Sequence, residues 1–539
     1  MKFDDIFTYL GEYGRYSKLL SLSVCSLIIS NAFFNICTVF INGSMDHHCK
    51  LAETANCSDV DGDECWKANL SMSLPPDDEG TLFINETQCR IYTSNENETE
   101  LTDCEHGWTY DRSQYKSTIV SEFDLVCDDS YKSSLAASLY LAGFFFGSII
   151  FGFMCDYYGR KRTIFVALAV TLLAGLMSGL ASSYWLFAIS RFLIGIANIG
   201  LFCSIFTYVT ELVGPSRRAM IATIANLYWC LGYMLTAVIG YFIRSYRTLL
   251  VASSIAMSPL LLLYFLIPES ARWLLVKKKT DEAKLILQRI AKGNNDGNLP
   301  DEIFENLEVD TESKATRKTN PLDIIRYRSM RFKTINITYS WFAINLVYYG
   351  LTYGVEGLNV DVYLGTFLGG LTEMFAYLFT WFFIQKVGRR LTLGGTLVAG
   401  GSGCLVNLWI PSSFVELRTT TAMIGKFFIT SAFAIVYVYT VELFPTDIRT
   451  IGLGFCSFWS RVAGVLAPQI LFLQKLWTPL PLVAFSLTSV SAGLLALLLP
   501  ETLNVPLPQT IEEAEMITRR TTKRSSGSFH DIGLQPVKS

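Results

Sequence analysis

Twelve apolar stretches of about 20 residues run through the sequence, and each is long enough to cross a bilayer as a helix. The stretches are 20–42, 134–154, 163–182, 185–209, 219–242, 248–267, 334–354, 361–385, 391–411, 419–441, 450–473 and 478–499. In lipid every backbone N–H and C=O needs a partner inside the segment, which a helix of this length supplies. The pattern therefore predicts an all-α membrane protein with twelve transmembrane helices.

Composition narrows the class of protein. Of the 539 residues, 17% are charged, against about 25% in typical soluble domains. The net charge of −3 offers no large basic surface, so we expect no nucleic-acid partner. The sequence contains no GxxxxGK(S/T), HExxH or GxSxG motif and no metal-type spacing of Cys and His. We therefore predict a protein in contact with membrane lipid that is not an enzyme and binds no metal.

Short basic loops set the orientation, because loops rich in Lys and Arg stay in the cytosol. These loops are "GRKR" (159–162), "SRR" (216–218), "KKK" (277–279), "GRR" (388–390) and "RRTTKR" (519–524). They share one side of the membrane with both termini. The predicted organisation is a cytosolic N-terminus (1–19), the first helix (20–42), an extracellular loop (43–133), helices two to six (134–267), a cytosolic loop with an amphipathic helix (268–333), a six-helix C-terminal half (334–499) and a cytosolic tail (500–539).

The long extracellular loop has its own composition. Residues 44–130 contain 20 acidic residues against five basic ones. The loop holds six cysteines, at Cys49, Cys57, Cys65, Cys89, Cys104 and Cys127, which permit up to three disulfides in 15 pairings. Four glycosylation sequons lie at Asn56, Asn69, Asn85 and Asn97. We therefore expect a disulfide-bonded, glycosylated loop.

Three pairs of motifs recur at nearly one offset, which indicates an internal duplication. The pairs are "YYGRKRT" (157–163) with "KVGRRLT" (386–392), "ELVGPSRR" (211–218) with "ELFPTDIR" (442–449), and "IPES" (267–270) with "LPET" (499–502). The offsets are 229, 231 and 232 residues. Six helices per unit give both halves the same orientation, which predicts a pseudo-symmetric transporter plan with its site at the midplane.

The repeated motifs place acids and bases at cytosolic helix ends. We predict that these charges pair across helix ends and hold a gate shut; the alternative is that the bases only fix topology. The gating candidates are Asp156, Gly159, Arg160, Arg162, Glu211, Arg218, Glu269, Arg272, Arg389, Glu442, Arg449 and Glu501.

Several motifs carry a family resemblance. "GRKRT", "PESARWLL" (268–275), "ELFPTDIR" and "PETLNVPLP" (500–508) resemble signatures of the major facilitator superfamily. "GEYGRY" (11–16), "STIVSEFDLVC" (117–127) and the Cys-rich loop are similar to its organic cation, organic anion and carnitine transporters. The resemblance covers about residues 1–516. It implies alternating access and a place in the plasma membrane, with small organic ions as substrates.

Few charges lie deep in a predicted span, where they are costly and often functional. Glu373 and Arg461 fall near the middle of the eighth and eleventh stretches. They are candidates for a substrate site, or alternatively for a structural ion pair with each other. Arg191, in the outer part of the fourth stretch, is expected to brace helix packing, and Lys426 is open to either interpretation.

The family comparison turns these positions into a site hypothesis. An acid like Glu373 together with a base like Arg461 resembles the carnitine-type subgroup. Glu373 and aromatic rings would face an ammonium group, and Arg461 a carboxylate. The predicted substrate-binding residues are Glu373, Arg461, Trp341, Tyr348, Tyr349, Phe202 and Asn31. The resemblance to sodium-linked carnitine carriers implies Gln at the position of Asn198. Because this chain has Asn there, sodium coupling stays open.

The resulting prediction is a polyspecific plasma-membrane transporter of organic cations and zwitterions. An organic anion transporter is the main alternative, with Arg461 dominant. A plain cation carrier, a channel, and a non-transporting member that binds a partner through its extracellular loop rank lower. We expect a monomer, with oligomerisation through the extracellular loop as the alternative.

Overall fold

The computed structural model describes residues 6–50, 89–95, 98–104, 107–295, 326–358, 360–411, 413–445, 448–503 and 508. Several predicted features lie outside these ranges, so nothing tests them. They are Cys57, Cys65, the sequons at Asn56, Asn69, Asn85 and Asn97, and the tail beyond residue 508.

A helix coincides with each of the twelve predicted stretches. The helices are α1 (Arg15–Ile41), α2 (Tyr131–Tyr158), α3 (Arg160–Gly179), α4 (Tyr184–Glu211), α5 (Arg218–Phe242), α6 (Tyr246–Leu266), α7 (Arg328–Tyr353), α8 (Val362–Phe383), α9 (Arg389–Asn407), α10 (Val415–Leu443), α11 (Arg449–Phe472) and α12 (Leu480–Ala496). In the described ranges, nine helices are long and apolar enough to cross a membrane, and α12 is a shorter apolar helix. The predicted all-α membrane fold is confirmed.

Helix α1 contains two tight turns, at Ser26 and Cys37, where the backbone keeps right-handed helical φ and ψ. It consists of Arg15–Cys25, Leu27–Ile36 and Thr38–Ile41, separated at Ser26 and Cys37. Ser26 donates to the carbonyl of Ser23 at 2.7 Å, and the Cys37 thiol lies 3.4 Å from the carbonyl oxygen of Phe34. Such local side-chain bonds compete with the helical ladder and accompany the two turns, while the chain continues as one helix from Arg15 to Ile41.

The chain falls into two compact units. The first contains Met1–Ser313, Tyr349–Met374 and Gly464–Thr478, and the second contains Lys314–Tyr348, Phe375–Ala463 and Pro479–Ser539. Helices α7, α8 and α11 therefore contribute residues to both units. The domain boundaries predicted from sequence stay a prediction. The two compact units are defined by contacts and combine separate stretches of the chain, so they do not test those boundaries.

Small residues let helices approach closely within each unit. In the first unit, α4 packs against α2 and α3, and a Cβ on Gly147 would lie 2.1 Å from the carbonyl oxygen of Ile196. In the second, α9 packs against α10 and α12, and a Cβ on Gly493 would lie 2.9 Å from the carbonyl oxygen of Gly394. Close backbone packing of this kind replaces the hydrophobic drive that lipid cannot supply.

The described part of the loop between α1 and α2, which the sequence predicts to be extracellular, contains four short strands. Strand β1 (His47–Cys49) pairs antiparallel with β4 (Trp108–Tyr110), and β2 (Arg90–Asn95) pairs antiparallel with β3 (Glu98–Asp103). Two disulfides, Cys49–Cys104 and Cys89–Cys127, resolve two of the pairings that the sequence left open.

The predicted cytosolic amphipathic helix is Thr280–Asn295. Its apolar face buries Leu287 and Ile290 in a cluster with Phe7. Asn294 donates hydrogen bonds to the Leu10 carbonyl and the Ser17 hydroxyl, both at 3.1 Å, which attaches the helix to the N-terminus.

Candidate functional site

The first repeat carries an ion pair between the start of α3 and the end of α4. Arg160, which begins α3, donates to both carboxylate oxygens of Glu211 at the end of α4, at 3.2 and 3.0 Å. The same guanidinium donates to the Cys155 carbonyl at 3.1 Å, and the Ser270 hydroxyl donates to Glu211 at 2.5 Å. Asp156 lies 3.4 Å from Arg160 and is mostly exposed, so it is the weaker partner.

The second repeat contains the same arrangement. Arg389, which begins α9, donates to both carboxylate oxygens of Glu442. Its Nε lies 3.0 Å from one oxygen, and a terminal nitrogen lies 3.0 Å from the other. It also donates to the Ile384 carbonyl at 3.2 Å, and the Thr502 hydroxyl donates to Glu442 at 2.5 Å. Each arrangement lies within one compact unit, and the duplication inferred from sequence extends to these contacts.

A second carboxylate in each motif caps a helix N-terminus. Glu269 accepts the backbone N–H of Lys161 at 2.9 Å, and Glu501 accepts the backbone N–H of Arg389 at 2.8 Å. Gly159 and Gly388, the residues just before α3 and α9, have φ of +104° and +97°. A Cβ on Gly159 would lie 2.4 Å from a Glu269 oxygen. Glycine is therefore required on two counts, and the acids interact favourably with the helix dipoles.

The remaining gating candidates lie at or near helix starts. Arg162 lies in the first turn of α3, Arg218 begins α5, Arg272 lies in the short helix Ala271–Val276, and Arg449 begins α11. Arg449 donates to the Phe444 carbonyl at 3.3 Å. Their gating role stays a prediction.

In the second unit, aromatic side chains of α7 face α10. Trp341 is buried, donates to the Thr440 hydroxyl at 2.9 Å and stacks edge-on against Tyr437 at 4.3 Å. Tyr348 lies 5.7 Å from Phe433. The sequence analysis did not identify Tyr437 and Phe433 of α10, because only the packing of α7 against α10 brings them next to Trp341 and Tyr348.

A buried cation lies beside this aromatic cluster. Lys426 is 1% exposed and lies 5.9 Å from the centre of the Tyr348 ring. Arg461 belongs to the same unit and is half-buried. The second unit therefore places two positive charges in its membrane segments.

The first unit contains the other predicted site residues. Glu373 is fully buried near the middle of α8. Asn31 and Asn198 interlock: Asn31 donates to the Asn198 carbonyl at 2.5 Å, and Asn198 donates to the Asn31 carbonyl at 3.0 Å. Phe202 contacts Trp229 at 6.1 Å, and Tyr349 lies 5.7 Å from Tyr353.

One cluster in the loop between α1 and α2 resembles a metal site by distance alone. Ligand atoms of His47, Cys89 and Cys127 lie within 4.8 Å of one another. The two sulfurs are bonded to each other, so they offer no thiolate. Burial lowers the pKa of His47, and the charge of Lys475 lowers it further. We assign no metal to this cluster.

Within the first unit, α8 contacts α1 and α11 contacts α2. Tyr363 of α8 stacks on Phe40 at 5.2 Å and donates to the Gln114 carbonyl at 3.1 Å. Gln469 of α11 donates to the Ser138 hydroxyl of α2 at 3.0 Å. We call the contacts of Tyr363 with Phe40 and Gln114 the outer latch.

We expect Tyr363→Ala to slow substrate uptake several-fold, because closing the outer side would lose a ring pair worth about 0.5–1.5 kcal/mol beyond its buried area. Tyr363→Phe keeps the ring and should retain most of the rate. The measurement is initial uptake at matched surface expression. Equal loss in both variants would assign the effect to the hydroxyl and contradict the stacking argument.

Comparisons with known proteins agree with this architecture. Residues 83–514 match the model of the sugar (and other) transporter family. The "Organic cation transporter protein" of Drosophila melanogaster is 36% identical over 96% of this chain and 95% of its own length. The human "Organic cation/carnitine transporter 2" is 31% identical over 95% of this chain and 93% of its own length.

Solved structures agree at the level of the fold. The xylose transporter XylE from E. coli, in a partially occluded inward-open conformation, has a TM-score of 0.58 at 15% identity, covering 90% of this chain and 98% of XylE. The fold is that of the major facilitator transporters, which work by alternating access. The chain belongs to the sugar (and other) transporter family, among its organic cation and carnitine transporters. The family resemblance inferred from the motifs is thereby confirmed. The prediction of a multi-pass membrane protein is confirmed as well.

Proposed function

We propose that this protein carries organic cations and zwitterions of the carnitine type across the plasma membrane, with both termini in the cytosol. The observation that carries the proposal is Glu373, a fully buried carboxylate near the middle of α8. Carboxylates at this depth are costly and rare, and they often mark a substrate or ion pathway. The names of the relatives support the same substrate class.

In the zwitterion assignment, each charged end of the substrate faces a protein side chain of opposite charge. Glu373 would attract the ammonium group, and Arg461 would attract the carboxylate. Trp341 would add an aromatic face for the ammonium group, together with Tyr437. Tyr348 is less suitable than the sequence suggested, because Lys426 already lies over its ring.

Lys426 also favours a second candidate function. Two positive side chains in the membrane segments of one unit suit a substrate with one or two carboxylates. On this reading the protein is an organic anion transporter, and Glu373 has a structural role. A panel that contains a dicarboxylate, carnitine and a quaternary amine separates the two functions.

The test measures uptake of labelled carnitine, tetraethylammonium and a dicarboxylate by wild type, Arg461→Asp and Glu373→Gln. We expect Arg461→Asp to lower carnitine uptake at least about tenfold, since a hydrogen bond to a charged group contributes about 1.5–3 kcal/mol. Glu373→Gln should lower the uptake of both cationic substrates.

Arg461→Lys, which keeps the charge, is the matched control and should retain more carnitine uptake than Arg461→Asp. Undiminished carnitine uptake by Arg461→Asp would refute the zwitterion assignment. Dicarboxylate uptake without carnitine uptake by the wild type would select the anion transporter.

Sodium coupling belongs to the same proposal. The interlocked Asn31 and Asn198 offer neutral oxygen atoms but no carboxylate of their own, so a coupled sodium ion would bind weakly there. Carnitine uptake is measured in a sodium buffer and in a potassium buffer without choline, and the difference shows whether uptake depends on sodium.

We propose a monomer as the transporting species.

A further inference from the structure

The motif "GEYGRY" (11–16) has no part in the proposed transport site, yet it lies where three segments of the first unit meet. It joins the short helix Phe7–Leu10 to the start of α1. On one side it packs against the amphipathic helix Thr280–Asn295, and on the other it contacts the turn Pro215–Arg217 between α4 and α5. We call residues 7–17 the N-terminal segment.

The contacts of the N-terminal segment with the amphipathic helix are neutral. Asn294 accepts the backbone N–H of Ser17 and donates to the Leu10 carbonyl, both at 3.1 Å. Gly14 leaves room for the Asn294 side chain, because a Cβ on Gly14 would lie 2.2 Å from its Cγ. None of these groups changes its charge, so this attachment is constant.

The contacts of the N-terminal segment with the α4–α5 turn are ionic. The Glu12 carboxylate accepts a hydrogen bond from the Ser216 hydroxyl and lies 3.7 Å from Nε of Arg217. The Glu12 carbonyl accepts the backbone N–H of Gly214 at 3.3 Å. The side chains of Glu12 and Arg217 are 48% and 54% exposed, so water weakens the ion pair. A change of charge at the turn can therefore break this attachment.

Ser216 has the surroundings of a phosphate acceptor. It is exposed, lies in the single 3-10 turn Pro215–Arg217, and is followed in sequence by Arg217 and Arg218. Arginine side chains supply the paired N–H groups that bind phosphate. In the second repeat, the residue at the 231-residue offset of this motif is Asp447, a permanent acid. The repeated motif therefore accommodates a negative charge at this position.

We propose that Ser216 is a phosphorylation site whose phosphate releases the N-terminal segment from the α4–α5 turn. The Ser216 oxygen attacks the terminal phosphorus of ATP, the bond from that phosphorus to the bridging oxygen breaks, ADP leaves, and the hydroxyl proton passes to solvent. The product carries about 1.5 to 2 negative charges beside Glu12 and has no proton to donate to it. Arg217 then pairs with the phosphate instead of Glu12.

The inference goes beyond the proposed function. It rests on the proposed cytosolic position of the termini, because ATP and protein kinases are found in the cytosol, and it does not depend on which substrate is carried.

Mass spectrometry of the full chain tests the modification. One sample is purified from cells treated with a phosphatase inhibitor. A second is incubated with ATP and the catalytic domain of protein kinase C, which favours basic residues after the acceptor serine. We expect phosphate on Ser216, and none on the corresponding peptide of Ser216→Ala. Absence of phosphate from Ser216 in both samples overturns the proposal.

Hydrogen–deuterium exchange of the full chain tests the release. The Gly214 amide should exchange at least about tenfold faster in Ser216→Asp and in the phosphorylated protein than in Ser216→Asn, because only a negative charge repels Glu12. Ser216→Asn is the matched control, since it has the size of Asp without the charge. Equal exchange in Ser216→Asp and Ser216→Asn overturns the proposal.

A second substitution assigns the effect to Glu12. In the presence of Glu12→Gln, the change from Ser216→Asn to Ser216→Asp should alter Gly214 exchange by less than about twofold, because the opposing charge is gone. A tenfold difference that persists without the Glu12 charge would show that repulsion from Glu12 is not the cause.

Failure of the proposed function would be recognised separately. A wild type that carries no carnitine refutes the proposed substrate and leaves the phosphate and exchange results valid. An N-terminal epitope labelled on intact cells refutes the cytosolic termini, and with them phosphorylation of Ser216 in cells. The exchange comparison of Ser216→Asp with Ser216→Asn then still decides whether a charge at Ser216 releases the N-terminal segment.

Discussion

Replacing Glu442 with Gln should lower uptake at least about tenfold, the largest loss we expect from any single substitution in the repeated motifs. Glu442 accepts hydrogen bonds from Nε and a terminal nitrogen of Arg389 and from the Thr502 hydroxyl. Breaking a buried ion pair costs about 3–5 kcal/mol, because the remaining charge keeps its desolvation without its partner. Both side chains are 17% exposed, so water reduces that cost here but does not remove it. The measurement is uptake at matched surface expression, with thermal unfolding as a second readout.

The duplication provides a matched control for this prediction. Glu211→Gln removes the corresponding partner of Arg160, whose side chain is 13% exposed, and should show a loss of similar size. The double variant Arg389→Glu with Glu442→Arg restores opposite charges and should recover part of the uptake. Wild-type uptake by Glu442→Gln would contradict a gating role for the pair, and it would leave the alternative that the bases only fix topology.

The twelve helices could be predicted because hydropathy and length leave almost no other structure in a bilayer. The Arg–Glu pairs followed in part from the repeat, since the motifs place each acid and base at neighbouring helix ends. The capping of α3 and α9 by Glu269 and Glu501 was not predicted, because it depends on a positive φ at Gly159 and Gly388. That backbone conformation becomes visible only once the turn is built.

Side-chain neighbours were harder to predict than helices. Trp341 and Tyr348 were identified as site candidates, but Phe433 and Tyr437 lie about 90 residues further along the chain. No periodicity of α7 indicates which helix it faces. The contact of Arg191 with the Thr38 hydroxyl was missed for the same reason, because it depends on how α4 packs against α1. Hydropathy locates a helix but does not indicate its neighbour.

Removing a disulfide of the extracellular loop should have the other large effect, on folding rather than on substrate recognition. Cys49 and Cys104 are 55 residues apart, and closing a loop of that length stabilises a fold by about 4 kcal/mol in the chain-entropy model. We expect Cys49→Ala to lower the amount of protein at the cell surface severely, with little change in the KM of the molecules that arrive there. Cys25→Ala, which removes an unbonded thiol buried in α1, is the matched control and should leave surface delivery nearly unchanged.

The same variants test the pairing itself. Loss of Cys49 should leave Cys104 as a thiol, and loss of Cys89 should leave Cys127 as a thiol, which alkylation followed by mass spectrometry detects. A double variant that lacks both partners of one bond should be no worse than the single variant, because the bond is already gone. Alkylation of Cys127 in Cys49→Ala would show that the two pairs exchange partners. Surface delivery that falls while KM holds would place the loop outside the substrate pathway, since a loop that contacted substrate would change both quantities together.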